Sequence, residues 1–136
     1  AKRDLKKGRI SPAVERLIEC NILLSGVGFE SGGLALAHAI ANGLTILPEC
    51  KAMHGEAVAF GLVVQLRLER APELDQVLEF CQRVGLPTTL EELGLGEISD
   101  ADLQSVANAV FRNERNMANE QAKMTKQKLV QLMCEA

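Results

Sequence analysis

The stretch SGVGFESGGLALAHAIANG, residues Ser25 to Gly43, gathers five glycines around His38, one of two histidines in a chain of 136 residues. Glycine in a helix interior costs about 0.5–1 kcal/mol relative to alanine, so such a cluster marks a turn, a cap or a close approach. Three readings compete here: a phosphate cradle, a metal or substrate site, and tight helix packing. Upstream, Ser11-Pro12 is a helix start, because serine caps free amides and proline loses nothing at the first helical position. Val14, Leu17, Ile18 and Ile22 then recur at helical spacing. Gly26 and Gly28 are expected to stop this helix and Ser31 to cap the next. In that next helix Leu34, Ala35, His38 and Ala41 fall near one face, and Asn42-Gly43 supplies a left-handed stop.

Working outward, Leu44 to Leu47 is a short apolar run that Pro48 cuts off, and with no partner strand it reads as a connector. From His54 the pattern HGEAVAFGLVVQLRLER is helical by length and polar finish. Pro72 begins a helix that runs to Val84 with Leu78 and Phe80 in its core, and Gly85 ends it. GLPTTLEELGLGEIS (85–99) reads as a loop around one short helix. Ser99 and Asp102 resemble a capping box ahead of Leu103, Val106, Ala107 and Val110. The polar stretch NERNMANEQAKM (113–124) separates these from a last amphipathic segment beginning near Thr125. The predicted fold class is all-α, about six helices in a single domain over 1–136.

Composition narrows the function. The chain is 47% hydrophobic, enough for a core, and its formal charge is −3, with Lys and Arg dispersed among Asp and Glu. Four Phe are its only aromatic side chains of the Phe, Tyr and Trp type, so neither a basic stripe nor stacking platforms favour nucleic acid as a partner. No apolar run approaches the ~20 residues that cross a bilayer, so no membrane partner is expected. Cys20, Cys50, Cys81 and Cys134 contain no CxxC pair and read as reduced thiols, which points to a cytoplasmic location. The opening AKRDLKKGR lacks an initiator Met, and the chain is expected to be a piece of a longer one.

GVGFESGG approximates GxGxxG, but Ser31 stands at the sixth position, and a helix rather than a strand precedes it. The histidines offer more. His38 and His54 lie on consecutive helices joined by a connector, so the two rings can meet and form half of a metal site. A catalytic zinc takes three protein ligands. Candidates for the third are Glu30, Glu49, Cys50 and Glu56. The plainer reading stands beside this one: a histidine on an alanine-rich face is ordinarily a core residue, and Glu56 can serve only the helix N-terminus. Phe29 and Phe60 are ordinarily core residues, and thiols small buried hydrophobes.

GRISPAVERLIECNILLSGVGFESGGLALAHAIANGLTILPE, MHGEAVAFGLVVQL and FCQRVGLPTTLEELGL closely resemble the C-terminal helical region of the glycerol dehydrogenases, in the iron-containing alcohol dehydrogenase group. That resemblance covers nearly the whole chain and implies the helical domain of a dehydroquinate synthase-like fold. It implies that an NAD-binding α/β domain, absent from this chain, completes the enzyme. By the same resemblance His38 and His54 match the metal ligands of a zinc (Zn2+) or other divalent site, Phe29 matches an aromatic residue beside the glycerol pocket, and the third ligand is an upstream aspartate. The implied reaction is oxidation of glycerol, or a related small diol, to the ketone, with zinc as Lewis acid and a hydride passed to NAD. A homo-oligomer is implied as well. The sequence departs from the pattern at Ala41, where a second histidine is common, and between Pro48 and His54, which is shorter by a residue. The stretch MANEQAKMTKQKL lacks the usual proline or glycine. Gly32 and Gly33 are expected to allow close packing where Phe29 and His38 face a shared cleft. The alternative to an enzyme half is a non-catalytic helical interaction or oligomerisation module of the same descent.

Overall fold

Helices account for all the regular structure in the computed structural model, which describes residues 1–136 and contains no strand. The chain divides into two units, Ala1–Gly33 and Leu34–Ala136.

In the first unit, α1 (Lys2–Leu5) is followed by Gly8 at φ +62°, and the Asp4 carboxylate gathers the Arg9 guanidinium at 2.8 Å and the Ser11 hydroxyl at 2.9 Å. That hydroxyl is the expected cap of α2 (Pro12–Leu23). The helix does start at Pro12, but Ser11 gives its hydrogen bond to Asp4 and caps nothing. The expected stop at Gly26 and Gly28 is also corrected. The helix widens into a π turn, Leu24–Gly28, and continues as α3 (Phe29–Gly32) to Gly33 at φ +69°. Two glycines loosen a helix without ending it when their backbone stays right-handed, and a wider turn absorbs the slack. Ser31 lies inside α3 and caps no helix.

The second unit carries α4 (Leu36–Leu44), α5 (His54–Glu69), α6 (Leu74–Val84), α7 (Asp100–Arg112), α8 (Glu114–Met117) and α9 (Lys126–Glu135). With α2, five of these make six helices of nine or more residues, as the periodicity predicts. The core is continuous: Leu36, Ile40 and Leu44 of α4, Phe60 and Val64 of α5, Val106 and Val110 of α7, and Leu129 and Met133 of α9 are all fully buried. Helix α4 packs against both α5 and α7, and α9 closes on α7 and α5.

Close approach explains two glycines of this unit. A Cβ on Gly61 would overlap the Ala37 carbonyl, and one on Gly43 would stand 2.9 Å from the Val110 side chain. Gly43 is therefore an interior residue of α4, and the expected left-handed stop there is absent. Gly32, by contrast, has open space around it, which overturns the idea that it permits close packing.

Two further expectations fail. The segment 85–98 is a run of turns without a helix, braced by Thr88 N–H and hydroxyl bonds to the Glu92 carboxylate at 2.6 and 3.1 Å. Phe80 is 54% exposed, because the inward stripe of α6 runs through Leu74, Val77, Leu78 and Cys81. The Ser99 cap is present, with the Asp102 N–H donating to Ser99 Oγ at 3.1 Å. Thr125 caps α9 in the same way.

Candidate functional site

His38 occupies the first turn of α4 and His54 is the first residue of α5. Each stands at a helix start held by a side-chain acceptor. The α4 start has no side-chain cap of its own, and Gln65 of α5 supplies the acceptor, its amide oxygen taking the Ala37 N–H at 3.0 Å. On α5 the Glu56 carboxylate reaches back to the Met53 N–H at 2.8 Å. The same α4–α5 contact that forbids a side chain at Gly61 thus sets the level at which His38 sits.

The two imidazoles stand together. Their ring centres are 5.6 Å apart and their planes are tilted by 53°. The short connector after Pro48 does not separate them. His38 is half-buried and His54 exposed. Burial pushes the His38 pKa below its ordinary value, and the neighbouring His54 charge pushes it the same way. Neutral imidazole carries a free lone pair, the form that binds metals.

No third His, Cys, Asp or Glu side chain completes a metal-sized group with them. Of the sequence candidates, Glu56 is engaged in holding the helix start, and Glu49 and Cys50 do not join the rings. Glu30 belongs to the first unit, as does Phe29, which is 46% exposed on α3. Ala41 is buried in the core of the second unit. A concavity of about 660 Å³ opens beside the start of α5, bounded by Lys51, Glu56, Pro87 and Glu92, and the histidines do not line it. Neither it nor the role of Gln65 was legible in the sequence, since each joins residues about thirty to forty positions apart.

No family model matches the chain. It is 48% identical over 128 residues to a glycerol dehydrogenase of Thermotoga maritima, covering 92% of this chain and 35% of that protein. It is 50% identical over 115 residues to a glycerol dehydrogenase of Citrobacter freundii, covering 82% and 32%. Among solved structures, a probable glycerol dehydrogenase from Sinorhizobium meliloti 1021 superposes with a TM-score of 0.88 at 38% identity, over 96% of this chain and 38% of that one. Glycerol dehydrogenase from Schizosaccharomyces pombe gives 0.86 at 39%, over 93% and 33%. The chain spans about one third of the length of the relatives it matches.

Proposed function

We infer that this homologue of the glycerol dehydrogenases, an all-helical third of such an enzyme, contributes His38 and His54 as metal ligands to an NAD-dependent oxidation of glycerol or a related diol. The observation that carries the reading is the meeting of the two rings from neighbouring helices. Two imidazoles on one tetrahedral zinc, at zinc–nitrogen distances of about 2.0–2.1 Å, hold their ring centres about 5–5.5 Å apart. The separation of 5.6 Å lies close to that span.

When bound, a divalent cation supplies Lewis acidity toward an alcohol oxygen. The chain's own residues do the rest. His38, whose pKa is lowered by burial and then by the His54 charge, offers its lone pair with less competition from a proton. His54, at the solvent-exposed start of α5, offers the second donor. Phe29 is proposed as an apolar wall for the carbon chain of the substrate. About two thirds of the length of the relatives lies outside the part this chain matches, and a third ligand and an NAD-binding domain are proposed to come from that part.

Zinc titration of the chain, followed by NMR of both histidine side chains, tests the assignment. The two ring signals are expected to shift together and saturably, and His38→Ala or His54→Ala to abolish the shift of the partner ring. Rings that stay unperturbed, or a shift that survives either substitution, would overturn it.

A further inference from the structure

Four cationic side chains dispersed along the sequence converge on one concavity of the second unit. The end of α5 and the turn beyond it bring Arg67 and Arg70, the segment before α9 brings Lys123, and the first turn of α9 brings Lys128, around a volume of about 510 Å³. Glu135 is the one carboxylate on the wall, and it accepts a hydrogen bond from Gln131. None of the four cations is in an ion pair. Glu69, adjacent in sequence, takes its hydrogen bond from Gln65 at 2.8 Å. Lys128 Nζ reaches only the neutral Gln131 side chain, at 3.3 Å.

One detail points to a ligand. Arg67 Nε is buried and has no hydrogen-bond partner, and an unpaired buried donor is costly unless an acceptor arrives from outside. Arg70, at φ 53° and ψ 40°, is the left-handed C-cap that ends α5, and this turn places it on the wall of the concavity. The chain as a whole carries a charge of −3, so this local excess of positive charge is not a by-product of a basic protein.

We propose that this concavity is an oxyanion site that takes a phosphate group, free or carried by a small molecule. Guanidinium groups match the geometry of phosphate oxygens, and lysines add point charges around them. A bound dianion offsets the mutual repulsion of the four cations and gives Arg67 Nε its missing acceptor.

The test is calorimetric and thermal titration of the chain with inorganic phosphate, and separately with AMP, at ionic strength held constant with sodium chloride. Saturable binding and a raised melting temperature are expected, with affinity weakened about tenfold by Arg67→Gln and by the double change Lys123→Gln, Lys128→Gln. The double variant alters only exposed side chains, so it stays informative if the arginine variant folds poorly. Tighter binding of AMP than of phosphate identifies an ester as the occupant, and equal binding identifies the free ion. A phosphate effect no larger than that of chloride, or undiminished binding by the lysine double variant, would overturn the proposal.

Discussion

The two units spell similar apolar text and do different things with it. In Ala1–Gly33 the helical repeat of Leu17, Ile18, Ile22 and Leu23 leaves every one of them substantially exposed, and Val14 is the single buried hydrophobe. In Leu34–Ala136 the same kind of spacing on α4, α5, α7 and α9 closes into one core. Glycines divide the same way: Gly26, Gly28 and Gly32 have open space around them, whereas Gly43 and Gly61 lie against a neighbouring helix. Periodicity specifies a face, and only a partner element converts that face into a core.

The sharpest way to break this contrast is to truncate one phenylalanine in each unit. Phe60→Ala removes a fully buried ring and is expected to destabilise the second unit by about 3–5 kcal/mol in denaturant unfolding. Phe29→Ala, at a position 46% exposed, should cost below about 1 kcal/mol. Comparable losses would mean that the first unit is as tightly packed as the second.

The glycines give the next largest effect. Gly61→Ala drives a Cβ into the Ala37 backbone and should cost about 2–3 kcal/mol, and it should also part the His38 and His54 rings, which weakens zinc binding in the NMR titration. Gly28→Ala, in right-handed backbone with nothing nearby, should instead stabilise its helix by about 0.4–1 kcal/mol, read by circular dichroism during melting. The two serines ahead of helices differ as well. Ser99→Ala loses a cap bond and about 1 kcal/mol and should fray the start of α7, whereas Ser11→Ala loses a part-buried bond to the Asp4 carboxylate and should leave the start of α2 unchanged in hydrogen exchange.

Acid gives the smallest effect and acts on both units. Hydrogen bonds from the Thr88 backbone N–H, and then its hydroxyl, hold the Glu92 carboxyl below the ordinary value of 4.5. A carboxyl whose folded pKa is depressed contributes stability above its unfolded value, and that contribution is lost as pH falls through the folded one. The urea midpoint of the second unit should therefore decline below about pH 4.5, less steeply in Glu92→Gln. Asp4, lowered by the Ser11 hydroxyl and then by Arg9, puts the same sign on the first unit below its ordinary 3.8.

Much of the site was legible because it is local. His54 followed by Glu56 marks a helix start, and α5 begins at His54 with Glu56 bonded to the Met53 N–H. The meeting of His38 with His54 follows from two helices separated by a connector too short to carry them apart. What misled was punctuation: glycine stops a helix only when it takes positive φ, as Gly33 and Gly85 do, and Gly26, Gly28 and Gly43 do not. Sequence shows that glycine can take such a conformation, and the surrounding contacts decide whether it does.

By itself the sequence determined the helical class, the six longer helices with most of their ends, and the pair of imidazoles, because each depends on residues within a few turns of one another. Only the tertiary structure decided which apolar faces became core, which glycines were pressed against a neighbour, and that four scattered cations would share one hollow. Those outcomes depend on which surfaces meet after the chain has folded, and contacts between distant segments leave no periodic signature in the order of the residues.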